Sequence, residues 1–323
     1  MGVDLSRFGV KRSQVKADFE GAVAGRTLIM DGDGPAYRAA ATSARLDTAI
    51  RKYQTAMLTE MFLTQSQYLA VHLTASDCDK NRRGKVLAAK PYQGNRSGKA
   101  KPSLLEPLRQ AMAQPQNWLP DWNVYFHRDV EADDAMIIQA HQLKEDGVVW
   151  SDDKDLCLTP YLYWDQELGI VESLASNPVG YLVRKYTPAG ALKIWGRGVK
   201  FFWCQMLMGD QADNVQGIIK LDGKLCGKDG AFQALVNLET EAELSNFVVS
   251  AYRAIGQNVL CEAWLLWLLR SPKDSAYLYL LDCGLTPENL AYVKHCAKPG
   301  WFLGPNQRRD FDKGKWTSEV YTV

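Results

Sequence analysis

Residues 128–138 read RDVEADDAMII. After Asp129 come Glu131, Asp133 and Asp134, just where an apolar, strand-like run (WNVYFH, 122–127) gives way to a helix-like one. Like charges at that spacing repel, and removing any of them from water is costly. Acids in the first turn of a helix are favoured by the helix dipole, so a solvated helix start is a sufficient reading of the block taken alone. The rest of the chain decides whether it is the right one.

The same junction recurs elsewhere. LIMD (28–31) reads as a short buried strand ending in Asp31 and followed by the turn GDGP. YLAVHLT (68–74) is a second strand that stops just before Asp77, and VVWS (148–151) is a fourth, followed at once by DDKD. Apolar residues at Ile50, Met57, Leu58, Met61 and Phe62 predict helix from Tyr37 to about Gln67. LLEPLRQAM begins another helix, and EADDAMIIQAHQLKEDG a third, with its stop at Gly147. Short apolar strands alternating with helices predict an α/β domain built on a mainly parallel sheet, and such sheets place functional residues beyond the carboxyl ends of their strands. That is where the acids fall. Hard divalent cations take carboxylate oxygens as ligands, and two of them can clamp the attacking and leaving oxygens of a phosphoryl group. Cations among these acids would relieve their repulsion; without metal, some of the carboxylates are expected to take up protons near neutral pH.

Length, composition and charge bound the remaining choices. A chain of 323 residues predicts one large domain plus a smaller one, and 46% hydrophobic residues exclude a wholly disordered chain. The net charge of +1 says little, but residues 80–101 (KNRRGKVLAAKPYQGNRSGKAK) carry eight Lys and Arg and no acid, as a solvated loop or a phosphate-tracking arm would. Past about residue 187 Trp-rich helical stretches such as FFWCQMLMGD (201–210) and CEAWLLWLLR (261–270) dominate, with no clear strands. The division read from this texture is an α/β domain over 1–186 that includes the basic stretch at about 80–101, a helical domain over 187–297 and a tail over 298–323. Seven scattered cysteines without a C-x-x-C pair suggest reduced thiols, and four irregularly spaced histidines form no zinc motif. His72, alternating within a strand, reads as structural. No G-x-S-x-G and no G-x-x-x-x-G-K-[ST] occurs. The longest apolar stretch, AWLLWLL (263–269), is too short to cross a bilayer, and the N-terminus has no apolar signal core, so a cytoplasmic protein is expected.

The ordered blocks MDGDGPAYR, SDCDKNRRGKVLAAKPYQGNR, EADDAM, SDDKDL and GDQADNVQGI resemble the 5′-nuclease superfamily, which includes flap endonucleases, the 5′-nuclease domain of bacterial DNA polymerase I and bacteriophage 5′→3′ exonucleases. The resemblance runs from about Leu28 to Leu235. It implies a parallel-sheet nuclease domain followed by a helical domain with a helix-hairpin-helix motif, and two Mg²⁺ ions, replaceable by Mn²⁺. The acids it implies as ligands are Asp31, Asp77 (with Asp79 as a substitute), Glu131, Asp133, Asp134, Asp153, Asp155, Asp210 and Asp213. Asp33 and Asp152 have no counterpart and are left as second-layer or solvent-facing. Arg38 resembles an arginine near the scissile phosphate. Tyr92 and Arg96 match a Y-K-x-N-R block in which Gln93 stands where the family has Lys, so Lys85, Lys90 or Arg96 is expected to supply that charge.

The resemblance also implies Arg82 and Arg83 of the arm, with Gly217, Lys224, Gly227 and Lys228 of the glycine-rich stretch, as the remaining DNA contacts, the last four around a K⁺ site. The activity implied is phosphodiester hydrolysis at DNA 5′ ends, nicks or flaps, with RNA–DNA hybrids a further possibility, by a monomer working in phage replication or recombination in the host cytoplasm. Two other readings stand beside it. A haloacid-dehalogenase-like phosphatase would use Asp31 of DGD as a nucleophile, although Pro35 interrupts its motif and EADD and SDDKD are left over. A non-catalytic DNA-structure-binding protein would need the basic residues but not the acids.

Overall fold

The computed structural model describes residues 21–96, 98, 100–119, 122–298, 300–301, 309–310 and 315–316. Expectations placed on the first 20 residues, on Ser97 and Lys99 of the basic run and on most of the tail lie outside the described residues. The chain divides into two compact units, Met1–Cys78 with Lys99–Ser173, and Asp79–Gly98 with Leu174–Val323. The sequence reading attached the basic run to the α/β domain; in the structure its hydrogen bonds run to the second unit, detailed below.

The first unit is α/β, as expected. Six strands, β1 (Val23–Asp31), β2 (Ser66–Thr74), β3 (Trp122–His127), β4 (Gly147–Trp150), β5 (Leu162–Asp165) and β6 (Ile170–Glu172), form one sheet in the order β3-β2-β1-β4-β5-β6. All neighbours pair in parallel except β5 with β6. Alternate residues of the central strands face opposite ways. Leu28, Met30, Leu69, Val71, Val148 and Trp150 pack in one core with Ala36, Tyr53, Met57, Met61, Leu108 and Met112 from α1 (Asp33–Ala41), α2 (Leu46–Leu63) and α3 (Leu105–Met112). Ile29, Ala70 and Val149 are also fully or almost fully buried, as are Met136, Ile137 and Ala140 of α4 (Ala132–Leu143), which packs on β1, β2 and β4. With both faces covered, the strands read as unbroken apolar runs rather than alternating ones. Each fully buried Leu, Ile or Met contributes about 1.5–3 kcal/mol.

Two sequence expectations are corrected here. The helix expected from Tyr37 to about Gln67 begins earlier, at Asp33, and is two helices. The Thr42 hydroxyl folds back on the Arg38 carbonyl at 2.8 Å, and Arg45 enters α2 in an extended conformation with its guanidinium on Asp47. The strands β5 and β6 were not expected; at four and three residues they are too short to carry a period.

The chain runs from β1 outward to β2 and β3, then returns to the other side of β1 for β4. The carboxyl ends of β1 and β4 therefore flank a topological switch point, where a parallel sheet opens a crevice. Gly32 is the hinge between β1 and α1. A Cβ there would lie 2.6 Å from the Tyr53 hydroxyl and 2.9 Å from the His72 carbonyl oxygen, while its own N–H donates to that carbonyl at 2.8 Å.

The second unit is mainly helical. α5 (Gly198–Met208) is apolar nearly all round, with Phe201, Phe202, Trp203, Met206 and Leu207 fully buried. Around it pack α6 (Lys228–Leu235), α7 (Glu241–Ala254) and α8 (Val259–Leu266), with α9 (Ala276–Asp282) against α8 and α10 (Pro287–Cys296) against α7, α8 and α9. Trp267 stacks on Tyr279 with ring centroids 3.8 Å apart, and Phe202 meets Trp267 edge-on at 5.1 Å. The expectation of no clear strands past about residue 187 is overturned by β8 (Leu192–Arg197), which forms an antiparallel hairpin with β7 (Tyr181–Tyr186). Only Leu182 and Ile194 give it a buried apolar face, which is too little to read as alternation. All seven cysteines are free thiols, and no helix among the described residues is long and apolar enough to cross a membrane.

Gly32→Ala should destabilise the first unit by about 1–3 kcal/mol, since the new methyl group meets a backbone carbonyl that cannot retreat without breaking the β1–β2 register. Urea unfolding would read this as a lower midpoint at unchanged slope.

Candidate active site

The first unit collects acids from three strand ends. Asp31, at the end of β1, is 8% exposed. One of its oxygens accepts the Asp33 N–H at 2.9 Å and the other the Ser151 hydroxyl at 2.9 Å. Ser151 directly follows β4, so this bond ties together the two strand ends at the switch point. Burial, then the Asp33 carboxylate and the more distant Asp152, push Asp31 up to about 6 despite those two hydrogen bonds.

Glu131 is the N-cap residue of α4 and is buried, and Asp134 in its first turn is wholly so. Asp133, half-buried, is pushed well above the usual carboxylate range by burial and then by the charges of Asp153, Asp31, Glu131 and Asp155. Asp153 accepts the Asp155 N–H at 3.0 Å, capping the 3-10 turn Lys154–Leu158, and donates its own N–H to the Ser151 hydroxyl oxygen at 2.9 Å. Asp155 is 9% exposed and pairs with Lys154 at 3.0 Å. Five carboxylates from separate segments thus share one electrostatic field. The EADD block is not a solvated helix start.

Around them the charges are paired. Arg109 holds Asp33, which also accepts the Thr74 N–H at 3.1 Å, and Arg38 holds Asp152. Asp77 sits in an exposed ion pair with Arg128, beside a cleft of about 310 Å³ lined by Thr74, Glu106, Arg109 and Phe126 among others. Ser151, Arg109 and Arg128 were not picked out from the sequence. A hydroxyl after a strand and arginines on distant helices or loops carry no local signal. His72 is the structural residue expected, bonded to His127 at 2.9 Å and to Gln139 at 2.6 Å. Burial lowers it to about 4.

Among the described residues no three His, Cys, Asp or Glu side chains stand ready around one common point. The donor set still suits a hard divalent ion: it is all carboxylate oxygen, and Asp31 and Asp133 are held in a field that favours their protonated forms. An added cation is the simplest relief.

The second unit holds the other named residues. Gly209 and Gly217, both at positive φ, approach so closely that a Cβ on Gly217 would lie 2.4 Å from the Gly209 nitrogen. Between them Asp210 and Val215 exchange backbone hydrogen bonds at 2.9 and 2.7 Å. Asp210 is buried and accepts the Ala212 N–H at 2.7 Å. Asp213 accepts from the Tyr92 hydroxyl at 3.1 Å, the Gln93 amide at 3.0 Å and the Arg96 guanidinium at 2.6 Å. Asn214 donates to the Pro91 carbonyl at 2.8 Å and Asn95 to the Gln211 carbonyl at 2.8 Å. The PYQGNR block is thus clasped onto the loop that carries both aspartates.

Gln93, standing where the resemblance expected lysine, also accepts from the Lys80 ammonium at 2.5 Å. Lys80 is the cation at this position, a residue not among those named from the sequence. Lys80, Asn81 and Arg82 all have positive φ, a strained conformation for three consecutive non-glycine residues. Lys85 pairs loosely with Asp79 at 3.8 Å, and Lys90 is exposed.

Two expected DNA contacts are corrected. Arg83 is 1% exposed, its guanidinium donating to the Trp267 carbonyl at 2.8 Å, so it cannot reach a phosphate. The Gly217 N–H is committed to Glu262 at 3.2 Å. Glu262, itself 1% exposed, also accepts the Ala89 N–H at 3.1 Å; lying directly before the apolar AWLLWLL run, it carries no local signal of this role. Arg82, Lys224, Gly227 and Lys228 remain exposed. The glycine-rich stretch is the loop from Gly209 to Gly227 between α5 and α6, with a tight turn closed by Leu221 and Lys224.

Asp31 and His72 act on stability in opposite directions over the same range. Between the ordinary aspartate value and about 6 native Asp31 binds more protons than the unfolded chain, so its contribution is lost as pH rises through about 6, whereas His72, lowered to about 4, costs stability as pH falls below the ordinary histidine value. The acids are therefore read through the metal: the rise in melting temperature that Mg²⁺ or Mn²⁺ gives protein stripped of divalent ions should grow from about pH 5 to about pH 7.5. A metal effect that does not grow with pH, by calorimetry, would show that these acids do not share a field.

No protein-family model matches the chain, and no curated protein matches it by sequence. Among solved structures it is similar to the bacteriophage T5 D15 protein co-crystallised with metal ions, at 15% identity over 84% of this chain and 98% of that one, with a TM-score of 0.50. Structures of the T5 5′-exonuclease with zinc and of the D15 flap endonuclease (D155K) in a pseudo-enzyme-product complex with DNA and metal ions align at 16% identity, each over 84% and 97% of the two chains with a TM-score of 0.48. The chain therefore has the fold of the 5′-nucleases, the superfamily its carboxylate blocks resemble.

Proposed function

We propose that this chain is a divalent-metal-dependent 5′-nuclease that hydrolyses DNA phosphodiesters at 5′ ends, nicks or flaps, in the replication or recombination of a phage. The observation that carries the reading is the mutual repulsion of Asp31, Glu131, Asp133, Asp153 and Asp155 at the switch point of a sheet with the 5′-nuclease architecture. Those five residues would hold the metal, with Mg²⁺ the expected ion. Bound there, divalent ions supply water activation and charge stabilisation at the scissile phosphate.

The chain's own residues do the positioning. Ser151 donates to Asp31 and accepts from Asp153 N–H, so one hydroxyl orients acids from two strand ends. Asp153 in turn fixes the turn that carries Asp155. Arg38, exposed and paired with Asp152, places a guanidinium at the edge of the carboxylate field, where it can hold a phosphate oxygen. Asp77, with Arg128, is a weaker candidate ligand because its ion pair is exposed. In the second unit Lys80 is the better replacement for the lysine missing at Gln93, with Lys85, Lys90 and Arg96 in support. Asp210 and Asp213 keep the metal-ligand role implied by the resemblance as a proposal, Asp213 being the more heavily hydrogen-bonded. Lys224 and Lys228, on an exposed glycine-rich loop, would meet duplex phosphates.

The phosphatase reading fares worse. It needs the second acid of DGD free as a proton donor, but Asp33 is ion-paired with Arg109 and accepts from the Thr74 N–H.

Asp133→Asn and Asp153→Asn should each lower cleavage of an end-labelled flap substrate in Mg²⁺ by at least about 10³-fold, a loss of about 4 kcal/mol of transition-state stabilisation. DNA binding in Ca²⁺ should stay within about threefold of wild type. Lys80→Ala should lower kcat about tenfold without moving the Ca²⁺-binding affinity. Wild-type cutting by either acid variant would remove the ligand assignment, and product sizing on duplex, nicked and flap DNA separates exonuclease from endonuclease action.

A further inference from the structure

Between the short helical turns Lys80–Lys85 and Gly94–Arg96 the basic run has no regular structure, so its backbone N–H groups need partners elsewhere. Glu262 takes the Ala89 N–H, and the Asp213 carbonyl takes that of Gln93 at 2.8 Å. The Leu87 N–H donates to the Trp301 carbonyl, also at 2.8 Å. Trp301 lies just past α10, and the end of that helix is itself fixed: Asn258, the N-cap residue of α8, donates to the Cys296 carbonyl at 3.1 Å. The chain beyond α10 is therefore tied to the middle of the basic run.

Trp301 also reaches the start of the run, through a second ring. It meets Trp264 of α8 edge-on, with ring centroids 5.2 Å apart. The Trp264 indole N–H donates to the Asn81 carbonyl at 3.0 Å. Asn81 is the middle of three consecutive residues at positive φ, and its neighbour Lys80 carries the ammonium that reaches Gln93 at 2.5 Å. A strained turn persists only where its surroundings over-determine it. Trp264 and Trp301 are both half-buried, so core packing does not enclose either indole. The edge-on contact between them fixes the ring that aims its N–H at Asn81.

We propose that Trp301 is a positioning residue for the nuclease reaction: through Trp264 and Leu87 it holds the Lys80–Arg82 turn in the conformation that carries the Lys80 ammonium to Gln93. It rests on the nuclease reading for what Lys80 does and not for the contacts that hold it.

The test uses the full chain, with flap DNA in Mg²⁺, DNA binding in Ca²⁺ and amide hydrogen exchange by mass spectrometry. Trp301→Ala should lower kcat about tenfold, and Trp301→Phe, which keeps an edge-on ring, should recover most of the loss. Trp264→Phe, which keeps the ring and removes the N–H, should lose activity as Trp301→Ala does. DNA affinity in Ca²⁺ should stay within about threefold of wild type in each. Lys80→Ala/Trp301→Ala should be no slower than Lys80→Ala alone, since both changes remove the same contribution. Exchange in Trp301→Ala should quicken over residues 79–89 while α5 and α7 keep their protection. Unchanged kcat, or unchanged exchange over that stretch, would overturn the proposal. So would losses that multiply in the double variant, which would separate Trp301 from Lys80. Faster exchange across the whole second unit would overturn it too, making Trp301 a residue of the fold alone. If Asp153→Asn still cuts flap DNA, the metal assignment fails, while non-additive losses at Lys80 and Trp301 leave the positioning role standing.

Discussion

The constraint that shapes the first unit is electrostatic repulsion held in place by the backbone. Asp31 cannot leave the end of β1, because Gly32 must turn beneath Tyr53 and against the His72 carbonyl within a single residue. Glu131, Asp133 and Asp134 are fixed by the start of a helix whose other residues pack on three strands. Asp153 and Asp155 are fixed by a one-turn cap. Asp31 is held by a hydroxyl and an amide N–H, neutral groups that set its position without cancelling its charge, whereas arginines hold Asp33 and Asp152 and Lys154 holds Asp155.

The second unit applies the opposite solution to a similar charge. Asp213 is surrounded by a hydroxyl, an amide and a guanidinium, all from Tyr92–Arg96. Glu262 binds the N–H groups of Ala89 and Gly217, so one buried carboxylate joins the basic run to the glycine turn. Arg83 closes the other end of the run on the Trp267 carbonyl. Truncating Glu262 would take this acceptor from the Ala89 and Gly217 amides, so its removal should loosen the basic run and the aspartate loop together. The strain of three consecutive left-handed residues at Lys80–Arg82 is sustained by these anchors on either side, with the Asn81 carbonyl accepting from Trp264 at 3.0 Å.

Much of this was legible from residue order because the signals are local. An apolar run ending in an acid names a strand and its carboxyl end at once, so the central sheet and Asp31, Glu131, Asp133, Asp153 and Asp155 could be read directly from the sequence. Partnerships over long separations could not. Ser151 with Asp31, Arg109 with Asp33 and Lys80 with Gln93 depend on how segments fold back, and no period encodes that. Arg83 misled for a related reason: within a run of cations, one that is buried against a carbonyl has the same spelling as one that faces solvent. The hairpin was hidden because its outward face mixes Lys with Trp and Tyr, which blurs the alternation that marks a strand.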